Sequence, residues 1–158
     1  MDIEIVEFET IYAADFARLN YEWIEKYFTV EKHDREILDD PQQWVIAPGG
    51  QIFMAIVDGR VAGTVAMIPA GKGVLELTKM AVAPEFRGQS VGESLMRRSI
   101  EYAGSAGAEM IFLESHSKLG PALSLYRKFG FIDTPPDPDS LYARADVRMQ
   151  LAITDAGM

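Results

Sequence analysis

The sequence predicts one α/β domain built on a mixed β-sheet, and three observations carry that prediction. Short alternating or continuous apolar runs are interleaved with segments whose apolar residues recur at helical spacing. Strand-like runs follow one another from Ile52 to Val82 with no helix between them, so the sheet is mixed rather than doubly wound. A turn of small residues, Arg87-Gly88-Gln89-Ser90-Val91-Gly92, lies between the last of these runs and an amphipathic helix.

Each element has its own signal. Ile3, Ile5 and Phe8 alternate as a short strand, and Phe16, Leu19, Trp23, Ile24 and Tyr27 share one face of a helix over Ala13 to Tyr27. A second short helix near Asp34 to Leu38 ends before Asp40-Pro41. Pro48-Gly49-Gly50 is a loop. The strands Ile52 to Val57 and Val61 to Ile68 are joined by the hairpin turn Asp58-Gly59. Gly71-Lys72-Gly73 leads into the strand Val74 to Val82, which Pro84 stops. From Gln89 to about Ala106, Val91, Leu95, Met96, Ile100, Tyr102 and Ala103 form an apolar half opposite Glu93, Arg97, Arg98 and Glu101, as in a helix lying on a sheet. A strand at Met110 to Ser115, a helix from Pro121 to Lys128 closed by Gly130, a strand restarting at Phe131-Ile132 and a last strand at Val147 to Ile153 complete the order β-α-α-β-β-β-α-β-α-β-β.

Composition narrows the function. The chain has 158 residues and is 48% hydrophobic along its whole length, enough for one domain with a sizeable core and too apolar for disorder. No run approaches the roughly 20 apolar residues of a membrane span, and the acidic, alternating N-terminus is neither a signal nor a transit peptide. The expectation is therefore a cytoplasmic protein with no membrane partner. The absence of cysteine excludes a thiol nucleophile, disulfides and Cys-based zinc sites, and His33 and His116 form no metal motif, so no metal is expected. A net charge of −9 sets the chain against nucleic acid as a partner. The same charge suits an amine acceptor, although an acidic surface is common among soluble proteins.

The chemistry begins at the turn after Val82. A small-residue turn opening a helix leaves several backbone N–H groups unpaired and pointing the same way, and with the helix dipole they attract phosphate. Arg87 adds a mobile positive charge. A P-loop needs a Lys-Ser/Thr pair after its last glycine, and Gly92 is followed by Glu93-Ser94. A dinucleotide fold needs its glycines directly after the first strand, and this turn comes too late. The pattern Arg87-x-x-Ser90-x-Gly92 resembles the cofactor signature R-x-x-G-x-G/A of the GNAT acetyltransferases. The block LELTKMAVAPEFRGQSVGESLM around it resembles that family's strand–turn–helix unit, and ALSLYRKFGF, Ala122 to Phe131, resembles its second signature. The resemblance covers nearly the whole chain and implies one GNAT-like domain over 1–158. Ser90 is the departure, since the family usually has glycine there; ordinary helical dihedrals would make the serine cheap, and this is the expectation.

The resemblance implies acetyl-CoA as cosubstrate. Its pyrophosphate would be held by backbone N–H groups from Arg87, Gly88, Gln89, Ser90, Val91 and Gly92, and its pantetheine arm by the strand edge at Met80, Ala81 and Val82, exposed where Met110 to Ser115 splays away. Tyr126, inside the second signature, resembles the family's general acid for the departing thiolate, with a phenol pKa of about 10. Glu76, alternating with Val74, Thr78 and Met80, is the leading general base; a strand-end salt bridge near Lys79 or Arg87 is its plain structural alternative. Glu114 is the second candidate base, and His116 has a convenient pKa. Ser117 caps the last helix or touches pantetheine, with Lys118 beside it, and Arg127 is solvated or reaches the 3′-phosphate. Trp23, Tyr27 and Phe28 line the acceptor pocket or pack the core, with core packing expected, and the run Glu31 to Glu36 reads as a solvated helix start. The implied reaction is direct acetyl transfer to an amine, with a small-molecule acceptor expected. The alternatives are a silent acyl-CoA-binding sensor and an enzyme acting on a protein lysine or N-terminus. Relatives that dimerise through terminal strands imply Arg144 to Ile153 as a homodimer surface.

Overall fold

The computed structural model describes residues 2–153, so Met1 and residues 154–158 of the expected domain span lie outside the described residues. The elements are β1 (Glu4–Glu7), α1 (Ala13–Tyr27), α2 (Lys32–Asp39), β2 (Gln51–Val57), β3 (Arg60–Pro69), β4 (Val74–Val82), α3 (Val91–Ser105), β5 (Met110–Ser115), α4 (Gly120–Lys128), β6 (Ile132–Thr134) and β7 (Val147–Ala152). They occur in the order read from the sequence. One seven-stranded sheet runs β1-β2-β3-β4-β5-β7-β6, and β4–β5 is its parallel pair.

The two faces of the sheet follow from strand alternation. In β2, Ile52 and Met54 enter a core with Phe16 and Ile24 of α1 and Ile37 and Leu38 of α2. Phe53, Ala55 and Val57 enter the opposite core with Val91, Leu95, Met96 and Ala103 of α3. A strand covered on both faces needs a continuous apolar run, which is how β2 reads. Gly50 is required at the start of β2, because a Cβ there would stand 2.3 Å from the Met67 carbonyl oxygen.

Two irregularities of β4 shape the centre of the molecule. Thr64 pairs with Ala81 and Ala66 with Thr78, so two β4 residues, Lys79 and Met80, oppose Val65 alone. This is a β-bulge, and Lys79 takes a left-handed φ of 55° in it. Strict alternation would send Lys79 to the face opposite Glu76. The bulge cancels one step, so Lys79 joins the Glu76 face and meets α2, while Met80, expected beside Glu76, is shifted off it. The second irregularity is that β4 and β5 pair only over Val74–Glu76 with Met110–Phe112. Beyond Glu76 the strands part, and the β5-facing edge of β4 carries main-chain groups with no strand partner. The splay that the family resemblance implied is present.

The charge run from Glu31 is not a solvated helix start. Asp34 is fully buried and accepts from Lys79 Nζ (2.6 Å), from Arg144 Nη1 and Nη2 (2.8 and 2.7 Å) and from the Glu31 N–H (2.8 Å). Lys79 also donates to the Tyr142 hydroxyl (2.9 Å). Glu31 accepts from the Ala143 N–H (2.8 Å) and from Arg144 Nη1 (3.2 Å). These bonds fasten the segment before β7 to α2 and to the bulge. Other corrections are local. Gln42–Ile46, given no element from the sequence, forms a π-helical turn closed by Ala47 N–H to the Gln42 carbonyl (2.7 Å). The segment Arg144 to Ile153, implied as a dimer surface, contains β7, which pairs along its whole length with β5 and on its other side with β6 at Arg148, Met149 and Gln150.

Burial alone would raise the Asp34 pKa, but the Arg144 hydrogen bonds and the Lys79 charge outweigh it and hold the carboxyl well below its ordinary value. A depressed carboxylate adds stability above its unfolded pKa that is lost as pH falls through the folded one. Asp34→Ala, which leaves the buried Lys79 ammonium without a carboxylate and Arg144 with Glu31 alone, is expected to cost about 3–5 kcal/mol in urea unfolding at pH 7. The difference from the native chain should shrink in acid.

Candidate active site

A cavity of about 370 Å³ opens where β4 and β5 diverge. Its floor is β4 from Glu76 to Val82, with Glu114, Ser115 and His116 from the end of β5. The end of α1 supplies Trp23, Tyr27 and Phe28, α4 supplies Tyr126, and the segment pinned by Asp34 supplies Tyr142, Arg144 and Ala145. Of the residues singled out from sequence, the fold therefore gathers Glu76, Met80, Ala81, Val82, Arg87, Glu114, His116, Lys118 and Tyr126 around one space. Trp23, Tyr27 and Phe28 wall the cavity, although core packing was the stronger expectation. Trp23 does both, since it also packs against both cores.

Gly88 to Gly92 continue from Arg87 outside the cavity wall. Among the described residues, the N–H groups of Gly88, Gln89 and Ser90 donate to no backbone carbonyl. The first N–H groups of α3, from Val91, are unpaired by helix geometry. Gly88 (φ 74°) and Ser90 (φ 68°, ψ 14°) both take left-handed conformations, and the helix begins at Val91 rather than Gln89. The expectation that Ser90 has ordinary helical dihedrals is thus corrected. The turn reverses direction within four residues and needs two left-handed steps, and a Cβ at the second is strained. At Gly92 a Cβ would lie 3.3 Å from Leu125 Cδ2, so a small residue keeps α3 against α4.

Glu76 is neither hydrogen-bonded nor ion-paired among the described residues. Its two expected salt-bridge partners are engaged elsewhere: Lys79 binds Asp34, and Arg87 lies beside the Tyr27 hydroxyl and lowers its pKa. Burial, then the charge of Glu114, raise the Glu76 carboxyl to about 7, against the opposing pull of Lys79 and Arg148. Tyr126 also has no hydrogen-bond partner among the described residues. No fully enclosed side-chain nitrogen or oxygen of the described residues lacks one, so its hydroxyl opens to the cavity. Burial pushes it up to about 12, above the ordinary phenol value assumed from sequence.

Ser117 is not drawn into the cavity. Its N–H and hydroxyl both donate to Asp146 (2.8 Å each), and Leu119 rather than Ser117 stands at the cap of α4. His116 accepts the Lys118 N–H at Nδ1 (3.0 Å) and stands edge-on to Phe28 with ring centroids 5.3 Å apart. Lys118 Nζ donates to the Tyr27 carbonyl (2.7 Å), tying the end of α1 to the start of α4. Arg127 bonds Asp133 at the surface. Sequence reasoning missed Lys79, Tyr142 and Arg144. Only Lys79 carried a local signal, as a lysine inside an apolar strand.

Comparison with known proteins places this geometry. The model of the acetyltransferase (GNAT) family matches residues 17–131. An uncharacterised N-acetyltransferase of Schizosaccharomyces pombe is 28% identical over 142 residues, covering 84% of this chain and 87% of that protein. Other curated relatives are matched over only 32–45% of their length. A GNAT-family acetyltransferase from Staphylococcus aureus superposes with a TM-score of 0.88 at 19% identity, over 97% of this chain and all (100%) of that one. A putative acetyltransferase, yncA from Salmonella typhimurium, solved with its cofactor acetyl-CoA, gives a TM-score of 0.74 at 18% identity, over 98% and 96% of the two chains. At these identities the two structures share the fold.

The strain at Ser90 has a measurable consequence. Ser90→Gly removes a left-handed cost of about 1–2 kcal/mol, part of which returns as unfolded-state entropy. The variant is expected to gain about 1 kcal/mol in chemical denaturation.

Proposed function

The chain belongs to the GNAT family of acetyltransferases, and from that premise we propose that it transfers the acetyl group of acetyl-CoA directly to the amine of a small molecule. The observation that carries the reading is that an unpartnered Glu76 and an unpartnered Tyr126 line one cavity between the splayed strands. The residues present fit the cosubstrate. The unpaired edge at Met80, Ala81 and Val82 offers main-chain groups to an amide-bearing arm, and the free N–H groups from Gly88 onward, with Arg87, offer an anion site for a pyrophosphate. Acetyl-CoA would supply an acetyl group activated as a thioester.

The proton traffic follows from the two environments. An acceptor enters as an ammonium ion and must lose a proton before its nitrogen can attack. Ionised Glu76, with a pKa near neutrality, takes that proton. As the new C–N bond forms and the C–S bond breaks, Tyr126 donates its hydroxyl proton to the leaving sulfur. The sulfur departs into the same apolar surroundings, which raise the basicity of a thiolate as they raise that of the phenol. The nitrogen's second proton leaves to water, Tyr126 recovers a proton and Glu76 releases one. The net products are an acetamide, a thiol and one proton. The absence of cysteine suits direct attack. A small acceptor is favoured by the walls: Trp23, Phe28 and Tyr142 line the cavity with Glu76, and the Asp34–Arg144 bonds hold the segment that carries Tyr142.

With an amine that turns over, kcat/KM should rise with pH through about 7 as Glu76 ionises. It should show no fall from Tyr126 before about pH 12. Glu76→Gln should abolish the limb near 7. The same substitution has a stability signature. A carboxyl raised from 4.5 to about 7 binds more protons folded than unfolded, so its contribution falls as pH rises across that window. Glu76→Gln is therefore expected to be more stable than the native chain at pH 8 while losing activity.

Tyr126→Phe should lower kcat about 10²-fold and keep acetyl-CoA binding, measured by CoA release across an amine panel and by thermal shift. Stabilisation by acetyl-CoA with no turnover on any amine would turn the reading toward a sensor. No stabilisation at millimolar acetyl-CoA would remove the cosubstrate itself.

A further inference from the structure

Glu114 is the second acidic residue lining the cavity, and it too has no hydrogen-bond or ion-pair partner among the described residues. The parallel register pairs Glu76 with Phe112, and Glu114 lies two residues further along β5, on the same face and beyond the point where the strands part. Across the antiparallel pair, Glu114 is opposite Arg148 of β7. The two form no ion pair within 4.0 Å among the described residues. Arg148 Nη1 instead donates to Thr134 Oγ1 (3.2 Å) and Gln150 Oε1 (3.3 Å), and its guanidinium lies over the Phe112 ring, 4.6 Å from the centroid. Glu76 thus has the carboxyl of Glu114 on the neighbouring strand and the held guanidinium of Arg148 one strand further, the two not in contact with each other.

Of the other charged or titratable groups lining the cavity, His116 at the end of β5 accepts the Lys118 N–H and stands 3.6 Å from Asp146, Lys118 Nζ is held by the Tyr27 carbonyl, and Arg87 lies beside the Tyr27 hydroxyl. Lys79 on its own strand is held by Asp34 and Tyr142, and Arg144 stands behind Asp34. Tyr142 stays neutral because burial, then the charges of Glu76 and Asp34, raise its pKa. From α4 the cavity receives Tyr126, and from α1 Trp23, Tyr27 and Phe28.

We propose that Glu114 and Arg148 are positioning residues that act through Glu76 with opposite sign, Glu114 keeping a proton on it and Arg148 drawing that proton off, so that the pair sets the pH at which the base becomes available. The inference rests on Glu76 being the base. It assigns β5 and β7 a part in the reaction without requiring either side chain to touch the substrate. Removing the anion should let Glu76 ionise at lower pH, and removing the cation should hold its proton to higher pH.

The test uses the full chain with ¹³C-labelled glutamate carboxyls, the Glu76 resonance being identified by its loss in Glu76→Gln. Glu114→Gln should lower the Glu76 titration midpoint by about one pH unit. Arg148→Met, which keeps a stem on Phe112, should raise it, and Arg148→Lys should restore it. The acidic limb of kcat/KM for CoA release should follow the midpoint in each variant. A Glu76 midpoint unmoved by both substitutions overturns the inference whichever group is the base. A midpoint that moves while the activity limb stays, and persists in Glu76→Gln, overturns the base reading instead. Loss of turnover and limb in Glu114→Gln with both retained in Glu76→Gln would make Glu114 itself the base and overturn the proposal.

Discussion

The buried carboxylate of Asp34 is the constraint on which the rest of the structure depends. It takes four hydrogen bonds from three separate parts of the chain: Glu31 before α2, Lys79 in the bulge of β4 and Arg144 before β7. Arg144 is 110 residues away in sequence, so the contact closes nearly the whole fold. An isolated buried charge would be costly, but the bidentate guanidinium and the ammonium leave the carboxylate saturated. The result is a latch that fixes one wall of the cavity to its floor.

That latch also separates the fates of two acidic residues on one side of the sheet. Asp34 is surrounded by donors and stays ionised. Glu76 stands on the same face with no donor, and the lysine nearest to it in sequence is already committed to Asp34. If Lys79 followed regular alternation it would leave that face, Asp34 would lose a cation, and the segment carrying Tyr142 and Arg144 would lose a bond to β4. The bulge therefore does two things at once. It supplies the latch with its ammonium, and it keeps that ammonium from pairing with Glu76.

Much of the architecture was legible in the sequence because it is written in local periodicity. The order of strands and helices, the two-sided burial of β2, the phosphate-type turn and the helix bearing Tyr126 each follow from spacing within a dozen residues. The features that escaped depend on partners far along the chain. Nothing near Asp34 announces that Arg144 will reach it, so the run from Glu31 to Glu36 looked like an ordinary solvated helix start. The bulge at Lys79 shows only when β3 and β4 are set in register. The left-handed dihedrals of Ser90 arise because the chain must reverse between β4 and α3, and a serine gives no sign of it. The wall formed by Trp23, Tyr27 and Phe28 was ambiguous because aromatic residues at helical spacing suit a core and a pocket equally. The position of β7 inside the sheet, between β5 and the short β6, is a matter of topology that strand patterns do not encode.

The same geometry explains why the cavity sits where it does. Two parallel strands that remained paired would satisfy each other's main chain and leave no opening. Here β5 is held by β7 along its whole length, from Met110 to Ser115, and by β4 only as far as Phe112. The antiparallel partner thus takes over the backbone of β5 while the parallel partner lets go. The unsatisfied edge of β4 is the cost of that arrangement, and an open edge is ordinarily a site for another chain to pair. In this fold the edge lies within a cleft lined by Tyr126, Phe28 and the pinned segment before β7. In the proposed reaction an extended ligand with amide groups would complete the hydrogen bonding that a strand would supply, with Glu76 and Tyr126 lining the same cleft.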